Sequence, residues 1–124
     1  MLAILTSCMV LIAGWASQYG YGVFEQVIAT RQAGRTAYTL PTPLPVVDGY
    51  GASVECNHIG DIWHVRTEGT QRWYSVLIAD CSGHAAATRW MTRNNILIEL
   101  NPELVLEMGG HIGRGLRVEV KRKS

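Results

Sequence analysis

Asp80 and Cys81 stand side by side at the end of the run Trp73-Tyr74-Ser75-Val76-Leu77-Ile78-Ala79-Asp80-Cys81, a carboxylate and a thiol delivered by a strand of aromatic and aliphatic residues. A strand end fixes a side chain on a rigid scaffold while leaving it free to face a groove, the setting in which an acid can hand a proton to a substrate. The same Asp could instead accept local backbone N–H bonds and simply brace the chain. His84 follows within a few residues and is the one histidine beside this candidate site. His58, His64 and His111 are scattered without ligand spacing, and no Cys-x-x-Cys or His-x-x-His pair occurs, so neither a metal nor another cofactor is expected.

The thiol next to the acid has a second reading. Cys56 and Cys81 both lie near inferred strands and form an even pair if Cys8 is removed with an export signal. A bridge between them would contribute about 3 to 4 kcal/mol in the chain-entropy model. Two unrelated buried thiols is the alternative, since cysteine is among the most buried residue types.

Met1 to Ala16 contains no charged residue and is almost wholly apolar. Spanning a bilayer takes about 20 apolar residues, so this stretch better suits the core of an export signal, which places the protein outside the cytoplasm, secreted, periplasmic or at the cell surface. On that reading residues 1–14 are a signal or N-terminal hydrophobic segment and residues 15–124 the mature domain, with cleavage near Ala13 or Gly14. The alternative is a buried or membrane-associated N-terminal helix that is never removed, and a membrane contact is expected only through residues 1–14 in that case. Leu5-Thr6-Ser7-Cys8 resembles a lipoprotein signal only faintly, because the apolar run continues past Cys8.

Composition sets the bounds on what these residues can serve. One domain is the natural reading of 124 residues, with 48% hydrophobic content supporting a modest core. A net charge of +1 gives no electrostatic bias toward duplex nucleic acid, which is not expected as a partner.

The elements that must position Asp80 are strands and turns. Tyr38 to Pro45 carries prolines at 41, 43 and 45 and reads as a surface connection. Three strands are expected over Gly51–Cys56, Asp61–Thr67 and Arg72–Ala79, the last two joined by a hairpin turn at Glu68-Gly69-Thr70. In the second, Ile62, His64 and Arg66 share one face and Trp63, Val65 and Thr67 the other. Val76 to Ala79 is apolar on both faces, as in a closed barrel or sandwich. A further strand over Ile96–Leu100 precedes a helix with Asn101 as N-cap and Pro102 at its first position, running to about Met108 and stopping at Gly109-Gly110. Gly109 to Gly115 precedes a strand instead of opening a helix, so it reads as a flexible turn and not a phosphate loop. A last strand over Leu116–Val120 leads into Lys121-Arg122-Lys123, a solvated tail or a contact for an anionic polymer. The architecture implied is a small, mainly β barrel with one or two short helices.

Several of these segments resemble those of rare-lipoprotein-A-like domains. Ala16-Ser17-Gln18-Tyr19-Gly20 looks like that family's Ala-Ser-x-Tyr-Gly opening, and Val76 to Asp80 is similar to its apolar strand ending in Asp. Ile96 to Glu103 resembles its later segment, an acid-bearing apolar strand and a short helix, and Leu116 to Val120 its closing strand. The resemblance implies a six-stranded double-psi β-barrel, as in expansin and barwin domains. The departures are Asp80-Cys81-Ser82-Gly83 where the family continues Asp-Arg-Gly-Pro, Glu99 where it has Asp, and Val27 to Gln32 where it has Thr-Ala-x-Gly-Glu.

Domains of this kind act on polysaccharide, so the resemblance implies a cell-wall, peptidoglycan-like glycan as the partner. Asp80 and Glu99 are the acids that match the family's motif. Two carboxylates could hydrolyse a glycosidic bond, as a retaining pair at about 5 to 5.5 Å or an inverting pair at about 6.5 to 9.5 Å. A lytic transglycosylase needs fewer parts: Asp80 as general acid and then base, with His84 or Glu99 assisting. A plain solvent-facing residue of an alternating strand is the other reading of Glu99. Tyr19, Tyr21 and Trp90, with Trp15, Trp63, Trp73 and Tyr74, could supply sugar-stacking faces, or could pack the core and barrel ends. Two functions follow: an exported domain that binds and cleaves glycan through Asp80, or a non-catalytic carbohydrate- or protein-binding module stapled by Cys56 and Cys81.

Overall fold

The computed structural model describes residues 8–124. Six strands, β1 (Met9–Gln18), β2 (Gly49–Ser53), β3 (Ile62–Thr67), β4 (Tyr74–Cys81), β5 (Ile96–Leu100) and β6 (Leu116–Lys123), close into a barrel in the order β1-β5-β2-β4-β3-β6. Strands β1/β5 and β2/β4 pair in parallel and the other neighbours are antiparallel. This is the mainly β, closed six-stranded barrel expected from the sequence, with three short helices: α1 (Val23–Gln32), α2 (Ala85–Arg93) and α3 (Pro102–Glu107).

Alternation builds the interior. Trp63 and Val65 of β3, Tyr74, Val76 and Ile78 of β4, Ile98 and Leu100 of β5, and Val118 and Val120 of β6 all point inward and are buried. Gly51 sits where this interior is tight. A Cβ there would lie 2.6 Å from the Ile98 side chain, so the close approach of β2 depends on having no side chain. A second apolar cluster lies outside the wall, where Phe24 and Ile28 of α1 pack with Leu40 on Ala52 and Ala79. That explains why Val76 to Ala79 is apolar on both faces: one face fills the barrel and the other receives a helix.

The turn after β3 forms as read, with Gly69 at φ 83° and Thr70 N–H donating to Thr67 carbonyl at 3.0 Å. Helix α3 starts after Asn101 with Pro102 in its first turn, but the Asn101 side chain does not cap it. Its Oδ1 accepts from Tyr50 N–H at 2.9 Å instead, tying the helix to β2.

Several boundaries differ from the sequence reading. Strand β1 begins at Met9, well before Ala16, and Met9 to Ala16 pair residue by residue with Lys123 to Leu116. Much of the uncharged N-terminal run is therefore a barrel strand. Cleavage at Ala13 or Gly14 would cut that strand; Met1 to Ser7, the rest of the expected signal, lie outside the described residues. Lys121 to Lys123 belong to β6 and are not a free tail. Among the described residues no helix is long and apolar enough to cross a membrane.

Candidate functional site

The thiol reading resolves first. Cys56 and Cys81 form a disulfide with a Cα–Cα distance of 4.9 Å across a sequence separation of 25. The residue beside Asp80 is thereby anchored to the short 3-10 turn Cys56–His58. Cys8 is a free, exposed cysteine.

A β-bulge aims Asp80. Along β2 and β4 the partner of Gly51 is Ile78, but the partner of Ala52 is Asp80, so Ala79 is the extra residue on β4. A bulge re-aims the side chain that follows it, and here Asp80 turns toward α1 instead of continuing the inward row of Val76 and Ile78. Its two oxygens are both taken. Arg31 Nη2 donates to Oδ1 at 2.7 Å, and the Tyr19 hydroxyl donates to Oδ2 at 2.8 Å.

Arg31 is buried although it is charged. Its Nε donates to the Ala79 carbonyl at 2.8 Å and its Nη1 to Thr36 Oγ1 and the Tyr38 carbonyl at 3.2 Å each. This is the arrangement that makes a buried guanidinium tolerable: a charge-assisted bond to a carboxylate, with each of its three nitrogens hydrogen-bonded. Tyr19 is held just as firmly, its ring stacked on Phe24 at 4.4 Å between centroids. Burial, then the Asp80 charge and the hydrogen bond to it, push the Tyr19 hydroxyl far above its ordinary range, so it stays protonated and donating.

Glu99 belongs to the same row and has a different environment. Ala52 pairs with Asp80 on one side and with Glu99 on the other, while Glu99 pairs with Ser17 of β1. The two acids thus lie two strand spacings apart at one level of the barrel, roughly 10 Å between Cα atoms. Half-buried Glu99 has a single side-chain partner among the described residues, Ser17 Oγ, donating to Oε2 at 3.0 Å. Burial raises its pKa; the Ser17 bond opposes that and the Asp80 charge adds to it. A raised pKa is the setting in which a carboxyl can serve as a proton donor.

Beyond Ser17 runs a groove of about 480 Å³. Trp15 and Trp90, Ser17 and Gln18, and Gly113, Arg114 and Gly115 are among the residues that line it. Trp15 and Trp90 are both partly exposed. The guanidinium of Arg117 covers one side of Trp15, 5.2 Å from the ring centroid.

The remaining candidates separate cleanly. His84 caps α2, its Nδ1 accepting from Ala87 N–H at 3.3 Å, and makes no contact with Asp80 or Glu99 through a hydrogen bond. Tyr21 is exposed just before α1. Trp63 is core, Tyr74 is buried with its hydroxyl on the Glu107 carbonyl, and Trp73 lies beneath Arg66 and Lys121. Of the proposed sugar-binding residues, Tyr19 serves the Asp80 cluster and Trp90 the groove. Arg31, Ser17 and Trp15 complete the site. Of these, Trp15 was visible as one of many aromatics, whereas nothing in the sequence marks a lone helical arginine as the partner of an acid 49 residues away. Among the described residues no group of three or more His, Cys, Asp or Glu converges to hold a metal ion. Compared with known proteins, the chain matches no family model, no curated protein and no solved structure.

Proposed function

We propose that this chain is an exported, rare-lipoprotein-A-like barrel that binds cell-wall polysaccharide. The observation that carries this reading is the groove between Trp15 and Trp90, which runs to Ser17 and so to the half-buried Glu99. Indole faces at the sides of an open groove suit the flat apolar faces of pyranoses. The disulfide supports an oxidising compartment, where such bonds persist.

Cleavage is the second reading, and the raised pKa of Glu99 favours it in a form that exchanges the roles of the two acids. Glu99, protonated, gives its proton to the leaving oxygen; as carboxylate it then takes one from the sugar hydroxyl that attacks the anomeric carbon. Burial is the main cause of the raised Glu99 pKa, and Asp80, with Arg31 and Tyr19 on its two oxygens, adds to it through its charge. Incubating the full chain with cell-wall sacculi tests both readings. Retention on the sacculi that is lost on Trp90→Ala supports binding, and soluble sugar products that persist in Asp80→Asn but vanish in Glu99→Gln support cleavage. Neither retention nor products would remove the polysaccharide reading.

A further inference from the structure

Strands β1 and β6 run on past their other neighbours. β6 pairs with β3 only over residues 118–121, and β1 pairs with β5 only from Trp15 onward, while residues 9–13 of β1 stay paired with residues 119–123 of β6. The overhang is a two-stranded ribbon, and its two outer edges differ. The β6 edge carries Arg122 and Lys123, charges of the kind that discourage a further strand, whereas residues 9–13 carry no charge and no proline. Met9, Leu11 and Ala13 are exposed, and Val10 and Ile12 on the other face are only partly covered.

The backbone groups of that β1 edge are free. Successive residues of a strand send their N–H and C=O alternately to one side and the other. Ser124 N–H donates to the Cys8 carbonyl at 3.3 Å, so Cys8, Val10 and Ile12 address β6; Trp15 N–H donates to the Asn95 carbonyl at 2.9 Å on the opposite side, the side that Met9, Leu11 and Ala13 share. Among the described residues no backbone bond on that side takes up Met9, Leu11 or Ala13.

The strand that fits this edge is β1 itself, run antiparallel about a two-fold axis at Leu11. Leu11 then faces Leu11 of the other copy and Met9 faces Ala13, which are the residues with free edge groups, and Val10 faces Ile12 between them. Every pair is apolar. An axis at Ala13 would set Leu11 against Trp15, whose N–H is already used. The flanking charges agree with the axis at Leu11: Met9 lies beside Lys123 and Ala13 beside Glu119, so each end of the seam brings Lys123 of one copy toward Glu119 of the other. The two Lys121 side chains stand three strand spacings apart, roughly 14 Å, beyond the screening length of about 8 Å at physiological salt.

We propose that two copies of this chain join edge to edge through residues 9–13 of β1, antiparallel and in register at Leu11, so that two barrels share one continuous ribbon. The interface is isologous and closes at two copies. A seam this short makes a weak, reversible dimer. It stands independently of the polysaccharide reading.

Sedimentation of the full chain over a dilution series, with cross-linking by oxidation, tests both the association and its register. The mass is expected to rise toward twice that of one chain as concentration approaches about 1 mM, the weak end of specific association. Leu11→Pro is expected to hold the mass at one chain with the melting temperature of the dilute protein close to wild type, because the N–H it removes faces the open edge. In a Cys8→Ser background, Leu11→Cys is expected to form a covalent dimer readily, its two Cα atoms standing about 5.5 Å apart. Met9→Cys and Ala13→Cys are expected to cross-link to each other when mixed, and to do so poorly alone. A mass of one chain at every concentration, association beyond two chains, or a dimer that survives Leu11→Pro would overturn the proposal, as would cross-linking of Met9→Cys alone as fast as that of Leu11→Cys.

Discussion

Asp80 and Glu99 stand on either side of Ala52 in one row across the barrel, and the protein treats them in opposite ways. Asp80 is turned by a bulge toward a buried guanidinium and a partly buried phenol, each of which occupies one of its oxygens. Glu99 continues the regular alternation of β5, is half-buried, and receives one serine hydroxyl. The residue whose position best matches a known motif is thus the one locked in place, and the neighbour that looks like a plain outward residue is the one whose pKa burial raises. Position along a strand says where an acid is; its partners decide what it can do.

The contrast breaks most severely at Arg31. Arg31→Met leaves Asp80 charged without its cation and empties the donor to the Ala79 carbonyl, so a loss of about 4 kcal/mol in urea unfolding is expected, with α1 loosened from β4. A loss under about 1 kcal/mol would show that Asp80 does not depend on this pair. Opening the neighbouring staple comes next. Replacing Cys56 and Cys81 by serine, or reducing the bond, is expected to cost about 3 kcal/mol for a loop of this length, read as a lower melting temperature that reductant does not lower further in the double variant. Tyr19→Phe removes one of two donors to Asp80 while keeping the ring on Phe24, and about 1.5 kcal/mol is expected.

The smallest effect has the opposite sign. Glu99 binds its proton more tightly in the folded chain than in the unfolded one, so its contribution is fully present at low pH. Stability is lost as pH rises from the ordinary glutamate range through the raised folded value. Glu99→Gln removes that loss. The variant is expected to melt slightly higher than wild type at about pH 7 and no higher at about pH 3, both below and above the titration being informative. A variant that melts lower at neutral pH would mean that charged Glu99 is a stabilising partner in the native state.

Much of the barrel was legible because its rules are local. The period-two pattern of Ile62 to Thr67, the Glu68-Gly69-Thr70 turn, the strand Ile96–Leu100 and the Asn101-Pro102 helix start each follow from side-chain alternation or backbone preference. Helix α2 was missed because its N-cap is a histidine, not one of the usual Ser, Thr, Asp or Asn caps, and because Ala85-Ala86-Ala87 shows no apolar stripe. Strand β1 was hidden for the converse reason. Met9 to Gly14 are apolar on both sides of the strand, and an uncharged N-terminal run reads as an export signal before it reads as part of a sheet.

The site was half legible. Asp80 and Glu99 could be named from strand ends and resemblance, yet their difference depends on Arg31, Tyr19 and Ser17, which come from helix, loop and strand segments far away in sequence. Tertiary partners of that kind leave no local signature. The disulfide is the exception, since two cysteines suffice to suggest each other.

A carbon-13 titration of the Glu99 side-chain carboxyl in the folded wild-type protein most directly tests the division of roles between the two acids. Its midpoint is expected above the ordinary glutamate range, and to fall when the nearby charge is removed in Asp80→Asn. A midpoint at or below the ordinary range would contradict the assignment of Glu99 as the proton-holding acid and return that role to Asp80.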